Sequence, residues 1–187
     1  HLSIRRQRQM CIRDRGYNQV SKRLNILDLN TMKWSKGPDL PGPQTHSGVA
    51  SDGRYIYVIG GQVGTRFNNL GWYGTKDSWK YDTQTSKWSR FVSAPATRYA
   101  PTMEFLDNKL YLWGGAGMDR SDSRDQLWVM DLKASSPKWT QKASIPIPAD
   151  HHSSVVFDGK LYSFGGEHDH GRGHVQHDFV HVYDPKI

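Results

Sequence analysis

The 187-residue chain is polar, with 36% apolar side chains and no run of 18 or more of them, which excludes a helical membrane span within it. Its net charge of +7 comes from 25 Lys and Arg against 18 Asp and Glu, and five of the arginines fall in the first fifteen residues. A single cysteine, Cys11, excludes an internal disulfide and leaves the redox compartment and the localisation open.

Residues His1 to Arg15, HLSIRRQRQMCIRDR, show neither helical nor strand periodicity. The run RRQRQMCIRDR resembles the in-frame translation of a sequencing-library adapter and is set apart from the fold as an unpacked, dispensable terminus. Without it 20 basic and 17 acidic side chains remain, a net +3. Most of these stand singly rather than in one stripe, so no nucleic-acid partner is expected.

From Gly16 onward the chain is periodic. The segment RLNILD ends at Asp28 and is followed by Trp34; SWKYD ends at Asp82 before Trp88; LWVMD ends at Asp131 before Trp139; FVHVYD ends at Asp184. Between these lie three apolar runs, each closed by a glycine doublet: YIYVIGG at Gly60-Gly61, KLYLWGG at Gly114-Gly115 and KLYSFGG at Gly165-Gly166. The doublets are 54 and 51 residues apart, the period of an array of similar structural units. Ahead of each run, Asp52-Gly53, Asp107-Asn108 and Asp158-Gly159 are residue types that accept a positive φ, as a tight type I′ hairpin requires. Each unit therefore reads as four short antiparallel strands, near Ser47 to Ala50, Tyr55 to Ile59, Ser78 to Asp82 and Lys87 to Phe91 in the first, with Pro-containing links between units.

The doublets, the aromatic or aliphatic residue before Asp, and the Trp together resemble the kelch repeat, over about Gly16 to Ile187. The resemblance implies an all-β fold, a partial kelch-type β-propeller of about three four-stranded antiparallel blades belonging to a larger closed propeller. Residues 16–40 are read as the end of one blade, 41–94 and 95–145 as blades, and 146–187 as an incomplete one. Beginning and ending within blades, the chain reads as a fragment. Blades buried on both faces account for near-continuous apolar strands, and Trp88, Tyr81 and Trp139 are expected to pack between neighbours.

Binding residues in such a fold come from rim loops. In kelch proteins that bind peptides the ligand face resembles a ring of residues just after each doublet and at the start of each first strand. Carried onto this chain, the first set is Gln62, Ala116 and Glu167, and the second includes Gln44, His46, Arg98, Tyr99, His151 and His152. Only Arg98 matches the arginine the family often places there; with Gln44 and Asp150 at the equivalent places, the implied ring is not strongly cationic. The loop after the first doublet, QVGTRFNNLGWYG, carries Arg66 and Trp72, either exposed contact residues or caps folded onto the blade. The third loop, EHDHGRGHVQH, gathers Glu167, His168, His170, His174 and His177. Such residues can hold a divalent metal, but the spacing fits no standard signature, and a solvated loop is the preferred reading, with no metal ligand or cofactor assigned. If link and loop share one end, His152, Glu167, His168 and His170 should converge near the channel mouth.

The enzymes the resemblance brings to mind are not matched. Kelch-type copper oxidases need a Cys crosslinked to Tyr, and the repeat region lacks Cys; the Glu-x3-Asp-x3-His motif of iron-dependent specifier proteins is absent. The expected function is a non-enzymatic interaction module presenting rim loops to a protein partner or a glycan. The alternative is part of a kelch-type enzyme, a sugar isomerase or a metal-dependent one, using the His-rich rim. The phrases HSGVASDGRYIYVIGGQ and RYAP further resemble a plant-type group of kelch-repeat proteins, some of them anchored in the secretory pathway.

Overall fold

A computed structural model describes residues 20–63, 74–118, 122–168 and 175–187. Among them every regular element is a strand, in chain order β1 (Asn25–Asp28), β2 (Lys33–Lys36), β3 (Gly48–Ser51), β4 (Tyr55–Ile59), β5 (Ser78–Asp82), β6 (Lys87–Arg90), β7 (Thr102–Leu106), β8 (Lys109–Trp113), β9 (Leu127–Asp131), β10 (Trp139–Lys142), β11 (Ser153–Phe157), β12 (Lys160–Phe164), β13 (Glu167–His168), β14 (Val175–Gln176) and β15 (Val180–Tyr183). Strands β3 to β6 form one four-stranded antiparallel sheet and β7 to β10 a second, each in sequence order. Strands β11, β12 and β15 form a three-stranded third, and β1 pairs with β2. These sheets are the blades of an open propeller arc, as the sequence implied. Strand β7 lies beside β3 and β11 beside β7, so the first strand of each blade lines the inside of the arc.

The pleat explains the packing. Side chains alternate across a strand, and in β8 Leu110 and Leu112 meet Tyr57, Ile59 and Met103 in the core between the first two blades. Tyr111 and Trp113 point the other way, onto Leu127, Val129 and Leu161 in the core between the second and third. A further core places Ile56, Val58, Trp79 and Tyr81 against Leu24 and Leu40 beside β1. Trp88 and Trp139 are both partly buried at the edges of these cores, and the Trp88 indole N–H donates to the Pro38 carbonyl at 2.9 Å. Trp34, in the matching place on β2, is half exposed. The third blade leaves Val155, Phe157, Phe164 and Val182 open on the face that the next blade covers in the other two.

Two expectations are corrected. Asp107 and Asn108 both have positive φ, as do Asp158 and Gly159, but in the first hairpin only Gly53 does. Three residues, Asp52 to Arg54, connect β3 to β4 where two connect the others, and Asp52 Oδ1 accepts the N–H groups of Arg54 and Tyr55. The third loop, read from the sequence as a solvated loop, also carries a short ladder in which β13 pairs with β14.

Inter-blade contacts, rather than strand propensity, hold these short strands. Leu112→Ala, at a position with no exposure, is expected to cost about 3 kcal/mol in urea unfolding. Trp34→Ala should cost a third of that or less.

Candidate functional site

The rim is built on a repeated backbone device. The links into the three blades reach positive φ at His46, Ala100 and His151. One residue earlier in each, Thr45, Tyr99 and Asp150 pair as antiparallel bridges with the residues following the doublets, Gln62, Ala116 and Glu167. The apex residues are joined from blade to blade: Ala100 N–H donates to His46 O at 3.0 Å, and His151 N–H donates to Ala100 O at 3.2 Å. This register puts Ala149, not Asp150, in the place of Gln44 and Arg98; Asp150 matches Thr45 and Tyr99.

Glycine is required where links and doublets cross. A Cβ on Gly115, at φ 82°, would lie 2.8 Å from the Tyr99 carbonyl of its own link, and one on Gly114 2.5 Å from the Ala149 carbonyl of the next. The Gly115 N–H instead donates to that Ala149 carbonyl at 2.9 Å.

The device turns several of the sequence-selected residues inward. Gln62, Arg98, Tyr99 and His152 are all buried. Arg98 donates from Nη2 to Gln126 Oε1 at 2.6 Å, and burial, with Arg124 nearby, lowers its guanidinium to about 10. His152 stacks on Trp113 in the space that Gly114 leaves. His46, His151, Glu167 and His168 are the rim candidates that retain surface. Arg66, Trp72, His170 and His174 lie outside the described residues, as do residues 1–15.

One cluster joins several of these groups. The His46 ring stacks on Tyr99 at 4.9 Å and meets the edge of His151 at 5.4 Å. His151 Nε2 lies 3.1 Å from the Tyr99 hydroxyl, while its Nδ1 lies 2.5 Å from Asp150 Oδ1 and 3.2 Å from Glu167 Oε1. The Ser123 hydroxyl donates to the other Asp150 oxygen at 2.7 Å. Separately, His168 Nδ1 and His177 Nε2 are 3.0 Å apart in stacked rings, and the stack continues through Phe179 to His181. Burial, with a smaller contribution from His177, lowers the His181 imidazole below its ordinary range. Asp150 and Ser123 were not among the residues selected for binding; aligning the three links on their apex residues would have exposed Asp150.

A family model for the KLHDC2/KLHL20/DRC7 Kelch-repeats domain matches residues 73–187, and one for the Kelch motif matches residues 45–94. The chain belongs to the kelch-repeat family. It is 29% identical over 152 residues to the Kelch repeat-containing protein At3g27220 of Arabidopsis thaliana, covering 79% of this chain and 35% of that protein. It is 27% identical over 161 residues to human Kelch-like protein 33, covering 85% and 28%. The chain thus spans about a third of the length of these curated relatives. The solved structure of YjhT superposes with a TM-score of 0.75 at 15% identity, over 87% of this chain and 60% of that one, a likeness of fold.

Within this kelch rim, His152 makes a pH dependence. Burial lowers its imidazole from 6.5 to about 4, an effect that Asp150 opposes and His181 adds to. The unfolded chain then takes up the proton first as pH falls, so the stabilisation is complete above about pH 6.5 and is lost progressively toward about pH 4. The loss amounts to roughly 3 kcal/mol. Urea unfolding across that range should show it, and His152→Leu should flatten the profile.

Proposed function

We propose that this kelch arc is an interaction module that docks a protein partner on the rim made by its links and doublets. Kelch-repeat domains typically mediate protein–protein interaction. The observation that carries the assignment to this rim is the hydrogen-bonded row of His46, Ala100 and His151, which ties the links of three blades into one strip of backbone and fixes the surface side chains His46 and His151 on either side of the buried Ala100. Buried residues hold that strip in place: Gln44 accepts the Trp79 indole N–H at 2.9 Å and donates to the Asp77 carbonyl at 3.1 Å. A partner meeting a surface ordered in advance loses less entropy on binding than one that must order it.

The chemistry of the strip favours a protein over a glycan. Its surface groups are imidazole, carboxylate and hydroxyl, from His46, His151, Glu167 and Ser47. Tyr99, the one tyrosine or other large aromatic among the described residues of this strip, is wholly buried and offers no ring face for a sugar to stack on.

A photo-crosslinking side chain at His46 should capture a partner from an extract of the source cells, and the same group at Asp158, in a hairpin turn at the far end of a blade, should not. Capture from Asp158 alone, or equally from both, would contradict the assignment.

A further inference from the structure

We propose that Asp150, His151 and Glu167 form a site for one divalent transition-metal ion on the rim. Each offers one ligand atom, and the three atoms lie within 4.8 Å of one another. Atoms sharing an ion at about 2.0 to 2.2 Å stand roughly 3 to 3.5 Å apart, depending on the coordination geometry. His151 Nδ1 at 3.2 Å from Glu167 Oε1 already meets that spacing, while its 2.5 Å approach to Asp150 Oδ1 must open slightly and the carboxylates must close. Glu167 keeps part of its surface, so a small rotation suffices.

The surrounding groups orient the three ligands. An imidazole that binds metal through one nitrogen donates through the other, and carboxylate ligands are themselves hydrogen-bonded. Here the Tyr99 hydroxyl stands at His151 Nε2, leaving Nδ1 directed at the carboxylates, and the Ser123 hydroxyl holds the second oxygen of Asp150. With one nitrogen and two oxygen donors the set suits zinc or manganese; calcium and magnesium prefer all-oxygen sites. Three protein ligands leave at least one coordination position for water or for a group on a ligand.

The repeat itself shows that the fold does not demand these side chains. At the same three positions the first blade has Thr45, His46 and Gln62, and the second has Tyr99, Ala100 and Ala116. Only the third blade sets two carboxylates opposite each other on a bridge pair, where like charges repel. A divalent cation converts that repulsion into binding. The proposal rests on this cluster alone and stands apart from the reading of the rim as a docking surface.

The neighbouring blades supply the test substitutions. Zinc chloride is titrated calorimetrically into the intact chain, into Glu167→Gln and Asp150→Thr, which install the residues of the first blade, and into a variant with His168, His170, His174 and His177 all changed to Gln. One ion per chain is expected, retained by the four-histidine variant and weakened more than about 100-fold by Glu167→Gln. Ser123→Ala, which removes only a group holding a ligand, should weaken it about 10- to 100-fold. Circular dichroism melts check folding; if Asp150→Thr unfolds the chain, Glu167→Gln at its partly exposed position decides. No uptake by the intact chain, or uptake lost in the four-histidine variant and unchanged by Glu167→Gln, overturns the site.

Discussion

The arc depends on glycine doublets trapped between two backbone links. In the first two doublets the first glycine faces the link of the following blade, and in all three the second faces the link of its own. A Cβ on Gly60 would stand 3.0 Å from the Arg98 carbonyl of the next link, whereas one on Gly166 would stand 2.8 Å from the Asp150 carbonyl of its own. The crowding is productive because it lets the doublet N–H groups reach those carbonyls, as Gly115 reaches Ala149 and Gly61 reaches Arg98. Any side chain there would separate the blades where they converge, and the cores between them, from Ile59 to Leu112 and from Trp113 to Leu161, would lose their fit.

That constraint is written plainly in the sequence, which is why the fold was legible. Three doublets in register with Asp and Trp defined the repeat, and the four strands expected in the first blade match those observed to within one residue. The site was less legible. Strand alternation tells which side chain faces a core only while the backbone stays extended, and the links leave that region at His46, Ala100 and His151. Past those turns the direction of Tyr99, Arg98 or His152 depends on what the neighbouring blade leaves empty, such as the space over Gly114 that His152 fills. The alternation gives no sign of this. The first hairpin shows the same limit, since Asp-Gly suits both the two-residue turn expected and the longer connection found.

The links thus divide their residues between two tasks. Gln44, Arg98, Tyr99 and His152 stay inside and brace the crossings, at the cost of desolvating polar groups, while His46, His151 and Glu167 reach the surface in fixed places. Variation among blades then changes the chemistry of the rim without changing its backbone. A position that is alanine in one blade is histidine in the two others, and a bridge pair that is Thr and Gln in one is Asp and Glu in another. A repeat fold can in this way carry a chemically distinct site on one blade and a continuous contact surface across several.

The belt of backbone hydrogen bonds through the apex residues is the element on which the rim's use as a docking surface depends. Amide hydrogen exchange on the intact chain measures it directly, because the N–H groups of Ala100 and His151 sit in links between strands and owe their protection to the preceding blade. Exchange at both within about tenfold of the rate at Leu112 in the blade core is the expected result. Exchange at the rate of an unprotected peptide at either amide would show that the links move independently and that the rim is not ordered in advance.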